Sequence, residues 1–249
     1  MAGEAISGVE RSAAVGFAAG ADTYLRGRPS YPAAVVDAYL ARVSAGVTAD
    51  VGAGTGAMTV LLAARGVPVI AVDPVREMLA ALGSVVPRAV ATAQSLPWPS
   101  GALAGVMVAN AFHWFATREA LTELHRCLRP DGILALAWNE RDESVPWVRR
   151  QSEIVNVHEG GTPRFKTMQW KDVVDAESAF TEIDYLEVAN PTPMTADRLV
   201  DRVLSTSFIA SLPDQPRNEV ERQVRELAVS LPATFDYPYV SRLWLYQAT

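Results

Sequence analysis

Two acidic residues and three glycines carry the clearest chemistry in the chain. Asp50 precedes Gly52, Gly54 and Gly56, which alternate with small residues, and Asp73 follows Gly52 by 21 residues. Glycines in such a turn tolerate positive φ and let a ligand approach the backbone, and an acid at this interval typically meets a ribose hydroxyl. The pattern therefore predicts a site for a ligand with an unphosphorylated ribose.

The elements around these residues are a strand, a turn, a helix and a second strand. Residues 47–51 form an apolar lead-in to the glycines and read as a short buried strand. Residues 68–73 form a uniformly apolar run that ends in Asp73, as expected for a strand buried on both faces of a parallel sheet. Residues 57–65 between them read as a helix. The glycines therefore form the connection from the first strand to the first helix of a nucleotide-binding unit.

Strands and helices continue to alternate as far as residue 140. We predict strands at 88–93, 105–109 and 133–138, and helices at 74–82 and 118–128. This alternation predicts an α/β fold with a doubly wound, Rossmann-like sheet whose ligands bind beyond the carboxyl ends of the strands. The polar residues expected at those ends are Asp50, Asp73, Thr92, Asn110 and Asn139.

The second half of the chain is less regular. It is predicted to contain two further strands, at 180–188 and 239–247, and two helices between them, at 195–208 and 217–231. The helices would form an insertion suited to covering a substrate. We expect a mostly parallel seven-stranded sheet in a single domain over residues 1–249, with the cofactor-binding core at 20–140 and the later strands and helices at 141–249.

The charge, the cysteine count and the length of the apolar runs limit the possible partners and location of the protein. The chain has 22 basic and 28 acidic residues, a net charge of −6 and no long basic run, which argues against a nucleic-acid partner. The single cysteine, Cys127, cannot form an internal disulfide, and no apolar run reaches the roughly 18 residues of a membrane span. We therefore expect a cytoplasmic protein that acts on a small molecule, away from membranes.

Several motifs together resemble a known family. Those shared with class I S-adenosylmethionine-dependent methyltransferases are Asp50-x-Gly52-x-Gly54-x-Gly56, Asp73, Gln94-x-Leu96-Pro97 and Arg129-Pro130-Asp131-Gly132. Three others are similar to its small-molecule branch, which includes methyltransferase type 11 and trans-aconitate methyltransferase-like proteins: Tyr24-x-x-x-Arg28-Pro29-x-Tyr31-Pro32, Phe112-His113-Trp114-Phe115 and Trp138-Asn139-Glu140-Arg141-Asp142. The broad resemblance covers roughly residues 20–140.

The resemblance implies S-adenosyl-L-methionine as cofactor and S-adenosyl-L-homocysteine as product. Asp50 and the glycine turn would hold the methionine part, and Asp73 the ribose hydroxyls. The remaining expected cofactor contacts are Thr92, Ala93 and Gln94 at the adenine, Tyr24, Arg28 and Tyr31 over the methionine end, and Pro74, Met78 and Asn110. Thr92 departs from the family pattern, because many members have an acid there and a threonine can accept the adenine amino proton only with its hydroxyl.

Methyl transfer needs a nucleophile held in line with the sulfonium and freed of any proton. His113 is the candidate general base, although positioning alone can suffice and a structural histidine remains the alternative. Trp114 and Arg141 are candidate acceptor contacts, with core packing and a solvated loop as their respective alternatives. Because Asn110 and Asn139, not carboxylates, end the fourth and fifth strands, no metal is expected.

Two other function classes remain open at this point. The residues Gly52 to Ala57 also fit the Gly-x-Gly-x-x-Ala pattern of an NAD-dependent oxidoreductase. Asp50 before the turn, the third glycine and the long segment ahead of the first strand argue against that enzyme. A regulatory module that binds the cofactor without turnover is the non-enzymatic alternative.

Overall fold

The computed structural model describes residues 28–84 and 86–249. Its strands are, in chain order, β1 Thr48–Val51, β2 Val69–Val72, β3 Arg88–Ala89, β4 Leu103–Ala109, β5 Leu128–Arg141, β6 Phe180–Ala189, β7 Thr192–Met194, β8 Phe235–Tyr237 and β9 Tyr239–Ala248. Its α-helices are α1 Ala33–Leu40, α2 Ala57–Ala64, α3 Arg76–Ala80, α4 Arg118–Cys127, α5 Pro146–Asn156, α6 Gln169–Asp175, α7 Ala196–Leu204, α8 Ser207–Ala210 and α9 Asp214–Ala228.

The predicted seven-stranded sheet is confirmed, in the order β3-β2-β1-β4-β5-β9-β6. The strands β3, β2, β1, β4 and β5 pair in parallel, whereas β6 and β9 pair antiparallel. The chain reverses its direction of winding between β1 and β4, which are neighbours in the sheet. Ligands of such sheets bind beyond the carboxyl ends of the strands at this point, where the glycine turn and the segment after β4 both begin.

Both faces of the sheet are covered at its centre, which explains why β2 and β4 are apolar and buried along nearly their whole length. On β5, Leu134, Leu136 and Trp138 belong to one hydrophobic cluster, together with residues of α4 and α6. Ile133, Ala135 and Ala137 belong to a second cluster, together with residues of α1 and α2. The alternation of these residues places β5 in the middle layer of three.

The structure corrects three local predictions. The third strand is only Arg88–Ala89, and the chain then turns, with Thr92 and Ser95 forming a single bridge. The sequence predicts no helix between 139 and 171, but this connection contains α5 and the start of α6. The fifth strand, predicted at 133–138, is longer: β5 spans Leu128–Arg141, and its pairing passes from Leu128 opposite Leu103 to Ile133 opposite Gly105, so that residues 129–132 form an irregularity within it.

The chain divides into two compact units. One consists of Ser30–Glu140, Pro163–Asn190 and Val240–Thr249 and contains the seven-stranded sheet. The other includes Arg141–Thr162 and Pro191–Tyr239. The helices α7, α8 and α9 lie in this second unit, between β7 and β8, so the predicted helical insertion is present with a small antiparallel sheet of its own.

The packing of α1 depends on a glycine in β4. The Tyr39 hydroxyl of α1 lies 2.8 Å from the Thr48 hydroxyl of β1, and both residues are buried. A Cβ atom on Gly105 would lie 2.0 Å from the Tyr39 hydroxyl oxygen. The missing side chain therefore provides the space in which the tyrosine reaches the sheet.

We expect Gly105→Ala to lower the free energy of unfolding by about 1–3 kcal/mol, because the added methyl overpacks this contact. Urea unfolding measures the change. Gly161→Ala is the matched control, since its added methyl meets no atom of the described residues within 4 Å. A loss no larger than that of the control would show that Tyr39 moves aside without cost.

Candidate functional site

The glycine turn after β1 presents one open position between two closed ones. A Cβ atom on Gly52 would lie 2.6 Å from the Ala111 Cβ, and one on Gly56 would lie 2.0 Å from a methyl group of Leu82. A Cβ on Gly54 would meet only the Met78 methyl, at 3.4 Å. Gly54 has a φ of 56°, so the backbone at the open position is also in the left-handed region that favours glycine. Gly54 is thus the place where a ligand can approach the backbone.

Asp73, directly after β2, holds this turn in place. One of its carboxylate oxygens accepts the Gly54 N–H at 2.9 Å and the other accepts the Val75 N–H at 2.8 Å. The residue is buried, and burial raises its pKa against the opposing effect of the two N–H donors. Each oxygen has a second lone pair, so the carboxylate can still accept two hydroxyl groups of a ribose.

Asp50 in β1 is a fully buried carboxyl group with incomplete hydrogen bonding. The Thr59 hydroxyl of α2 donates to Oδ2 at 2.5 Å, whereas Oδ1 has no hydrogen-bond partner among the described residues. Burial raises the pKa of Asp50 to about 7; the Thr59 hydroxyl opposes this rise and the nearby Asp73 adds to it. The arrangement suits a ligand that brings positive charge and an N–H donor to Oδ1.

The predicted adenine contacts lie after β3. Thr92 and Gln94 are exposed and Ala93 is buried, so two polar side chains and one apolar surface follow each other there. The Ser95 N–H donates to the Thr92 carbonyl at 3.1 Å, which makes the segment a tight turn. Such a turn can present both backbone and side-chain groups to the edge of a base.

Two residues of α4 fix the loop that follows. The Glu123 carboxylate accepts the Leu96 N–H at 2.7 Å, and the Arg126 guanidinium donates to the Trp98 carbonyl at 2.8 Å. Glu123 and Arg126 also pair with each other at 2.7 Å. Neither residue is predicted from the sequence to have this role, because an acid and an arginine three positions apart on a helix usually form only a surface pair.

The other predicted cofactor contacts differ in how far they are buried. Met78 of α3 is buried next to Gly54, as its contact with the glycine position requires, whereas Pro74 is exposed. Tyr31 is buried in the cluster that includes Val35. Arg28 is half-buried, and Tyr24 lies outside the described residues.

Asn110 joins the carboxyl ends of β4 and β5. Its N–H donates to the Ala137 carbonyl at 2.8 Å, and its side-chain oxygen accepts the Asn139 N–H at 3.0 Å. Its φ of 54° is left-handed, a conformation that asparagine tolerates better than most residues. The side chain therefore supports the turn after β4, where His113 follows.

Asn139 joins parts of the chain that are far apart in sequence. Its side-chain oxygen accepts from the Ser241 hydroxyl of β9 and from the Asn190 amide after β6. The amide groups of Asn139 and Asn190 both donate to the Ser30 carbonyl, at 3.3 and 2.8 Å. The sequence predicts Asn139 directly after the fifth strand, but β5 continues to Arg141. No sequence pattern indicates this network, which holds the chain just before Tyr31.

His113 lies in a single 3-10 turn, Phe112–Trp114, directly after β4 and Asn110. The Trp138 indole N–H donates to His113 Nδ1 at 3.1 Å. In the neutral ring the proton is therefore on Nε2, and the general-base role predicted from the sequence requires the bond from Trp138 to break. The half-buried Trp114 ring lies 5.3 Å from the His113 ring.

Arg141, the predicted acceptor contact at the end of β5, belongs to the second compact unit, unlike Asp50, Asp73 and His113. It is half-buried, and the structure gives its guanidinium no carboxylate partner among the residues described. Burial raises the pKa of the neighbouring Tyr237 hydroxyl, and the charge of Arg141 opposes that rise.

Neither a metal-binding group nor a membrane-spanning helix is present in the described part of the chain. Within the described ranges 28–84 and 86–249, no three histidine, cysteine, aspartate or glutamate side chains are grouped closely enough to hold a metal ion. In the same ranges, no helix combines the length and the apolar character needed to cross a bilayer.

Comparison with known proteins identifies the family. Residues 49–136 match the methyltransferase domain family. An uncharacterized methyltransferase of Mycobacterium tuberculosis is 37% identical over 226 residues, which cover 90% of this chain and 89% of that relative. The chain belongs to the class I S-adenosylmethionine-dependent methyltransferases. A methyltransferase-like protein of Schizosaccharomyces pombe is 31% identical over 216 residues, or 84% of each methyltransferase.

Solved structures share the fold of this methyltransferase at low sequence identity. One, from Anaeromyxobacter dehalogenans and assigned as a type II methyltransferase, has a TM-score of 0.65 and 20% identity, covering 89% of this chain and 97% of its own. Another is a geranyl diphosphate C-methyltransferase of Streptomyces coelicolor, solved with Mg²⁺, geranyl diphosphate and S-adenosyl-L-homocysteine. It has a TM-score of 0.54 and 11% identity, covering 99% of this chain and 100% of its own.

The buried carboxyl group of Asp50 leads to a prediction about stability. Its pKa rises from 3.8 to about 7 on folding, so between these values the unfolded chain has released a proton that the folded enzyme retains. This residue therefore lowers the free energy of unfolding as pH rises from about 4 to 7, and the full cost persists above pH 7.

We expect Asp50→Asn to stabilise the cofactor-free methyltransferase more at pH 8 than at pH 5.5, by about 1 kcal/mol or more. Urea unfolding at the two pH values measures the free energy of unfolding of the variant and of the wild type. Asp236→Asn removes the same charge from an exposed position of β8 and serves as the control. If the two variants respond equally to pH, Asp50 is ionised in the folded enzyme without cost.

Proposed function

We propose that the enzyme transfers the methyl group of S-adenosyl-L-methionine to an oxygen or nitrogen atom of a small-molecule acceptor, without a metal ion. The observation that carries the cofactor assignment is the pair of buried carboxyl groups beside the open position at Gly54. Asp50 Oδ1, buried and without a hydrogen-bond partner among the described residues, suits the cationic end of this cofactor.

The proposed cofactor contacts divide among three strand ends. Asp50 and the backbone at Gly54 hold the methionine part, and Asp73 accepts the ribose hydroxyls while keeping its bonds to the turn. The segment at Thr92, Ala93 and Gln94, together with Met78, takes the adenine. Pro74, Asn110, Arg28, Tyr31 and Tyr24 complete this assignment, of which Tyr24 rests on sequence resemblance alone.

The bound cofactor would supply a methyl group already activated by the positive sulfur. The protein then has to exclude water and hold the acceptor in line with the sulfur and the methyl group. His113 and Trp114, in the turn after β4, are the proposed acceptor contacts, and Arg141 is a further one for an anionic acceptor. Asn110 directly follows β4 and Asn139 lies near the carboxyl end of β5, and amides at these two positions in place of carboxylates support the proposal that no metal is needed.

A small acceptor is supported by the charge of the chain. The net charge of −6 and the absence of long basic runs in the sequence disfavour a nucleic-acid acceptor. A screen of small carboxylic acids, phenols and amines, with detection of S-adenosyl-L-homocysteine, tests the proposal. Methylated product from one class supports it. Calorimetric binding of S-adenosyl-L-methionine without turnover in any class would favour a regulatory module, and tight binding of NAD instead would overturn the cofactor assignment.

The ribose role of Asp73 is tested by a double-mutant cycle. We expect Asp73→Asn to weaken binding of S-adenosyl-L-homocysteine by about 1.5–3 kcal/mol, because charge-assisted hydrogen bonds to the ribose are lost. Calorimetry with the 2′-deoxy and 3′-deoxy analogues should show a much smaller penalty from the same substitution. Equal penalties for all three ligands would assign the effect to distortion of the Gly54 turn.

Gly54 and Gly56 form a matched pair of substitutions. We expect Gly54→Ala to weaken binding of S-adenosyl-L-homocysteine at least about tenfold, since its methyl enters the open position, with a stability cost of about 1–2 kcal/mol for the left-handed backbone. Gly56→Ala should cost more stability, because its methyl meets Leu82 at 2.0 Å. Calorimetry measures the affinity, and urea unfolding measures the free energy of unfolding. Undiminished affinity in Gly54→Ala would show that the cofactor does not bind at this position.

A further inference from the structure

The bond between Trp138 and His113 determines which nitrogen of the imidazole is protonated. An indole N–H can only donate, so Nδ1 of His113 must supply the lone pair for the 3.1 Å contact. In the neutral ring the other nitrogen, Nε2, therefore carries the hydrogen. A proton taken up by His113 would have to go to Nδ1, where it would displace the indole donor.

The indole of Trp138 is held firmly enough to impose this choice. It is 1% exposed, and its ring lies 4.3 Å from Trp170, 5.0 Å from Phe165 and 5.7 Å from Trp244, measured between ring centres. Packing on several sides fixes the direction of the N–H bond, because a large buried ring has no second rotamer available without displacing its neighbours.

The backbone on either side of Trp138 is tied to the chain just before His113. The Ala137 carbonyl accepts the Asn110 N–H at 2.8 Å, and the Asn139 N–H donates to the Asn110 side chain at 3.0 Å. The turn that carries His113 and the strand that carries Trp138 are thus joined at three points. The distance between the two rings is therefore set by the fold.

We propose that Trp138 is a positioning residue for methyl transfer, and that it holds His113 as a hydrogen-bond donor to an acceptor oxygen, through Nε2–H, in place of a general base. This inference rests on the proposed function, since it requires that His113 contacts the acceptor. The donor binds one lone pair of the acceptor oxygen and leaves another directed at the methyl carbon.

This role implies an acceptor that is ionised before it binds. The anionic oxygen forms a bond to the methyl carbon while the carbon–sulfur bond breaks, and the electron pair of that bond stays on sulfur, giving a neutral thioether and a neutral methylated product. No proton is transferred, so the step balances without a base. If His113 were a general base, the acceptor would instead react only after losing a proton to it.

The first test observes the tautomer directly and needs no turnover. In ¹⁵N-histidine-labelled enzyme, long-range ¹H–¹⁵N correlation spectra at pH 7.5 resolve the three histidines, and His113→Gln assigns the signal. We expect His113 to show a protonated Nε2 and an unprotonated Nδ1, and Trp138→Phe to show a mixture of tautomers. A protonated Nδ1 in the wild type, or no change in Trp138→Phe, overturns the proposal even if methyl transfer itself is confirmed.

The second test uses the acceptor that gives the highest rate in the screen. The glutamine side chain can replace the Nε2–H donor but cannot take up a proton, so His113→Gln should keep about a tenth or more of the wild-type kcat, while His113→Leu should lose about a hundredfold. If His113 is a base, both variants lose activity equally, and kcat of the wild type falls tenfold per pH unit on the acid side.

Trp170→Phe is the control for Trp138→Phe. Trp170 belongs to the same aromatic group, but its indole N–H donates to the Phe165 carbonyl, at 3.2 Å. We expect Trp138→Phe to lower kcat about tenfold, the loss of one hydrogen bond, with the affinity for S-adenosyl-L-homocysteine unchanged, and Trp170→Phe to leave kcat within about twofold. Equal losses of kcat in both variants would mean that Trp138 acts through packing alone.

Discussion

The constraint on which the site depends is the burial of two carboxyl groups, Asp50 and Asp73, at neighbouring strand ends. Carboxylates in the interior are costly unless donors or cations compensate them. The structure supplies neutral donors: the Thr59 hydroxyl for Asp50 and two backbone N–H groups for Asp73. Among the residues described, neither carboxylate forms an ion pair with a basic side chain. The compensation is incomplete in the protein alone, so a cationic ligand gains from completing it.

Neighbouring parts of the fold hold the polar loops at the carboxyl ends of the strands in place. Each loop at the carboxyl edge of the sheet is hydrogen-bonded to residues from a different part of the chain. Asp73 after β2 holds the turn after β1, Glu123 and Arg126 of α4 hold the loop after β3, and Asn110 after β4 is bonded to both sides of Trp138 in β5. Preorganisation of this kind places ligand-facing groups on loops while the sheet provides the rigidity.

The features that could be predicted from the sequence are those that depend on local patterns of residues. The glycine spacing and the acid after β2 each depend on residues close together in the chain. Other hydrogen bonds join residues that are 25 to 109 positions apart, so no local sequence pattern predicts them. They are the bond of Trp138 to His113 and the bonds of Asn139 to Ser30, Asn190 and Ser241. Helix α5 escaped prediction because its buried face includes the polar side chains of Gln151 and Ser152 beside Val148 and Val155.

The insertion of β9 between β5 and β6 has a consequence for synthesis on the ribosome. Both neighbouring strands have emerged long before β9, so during translation each presents an unpaired edge, and the Asn139 amide lacks its Ser241 partner. Unpaired edges of apolar strands invite association with other chains. The sheet of the nascent protein therefore stays incomplete until residues 239–248 have emerged, and only then can the Ser241 hydroxyl complete the hydrogen bonds of Asn139, which also donates to the Ser30 carbonyl.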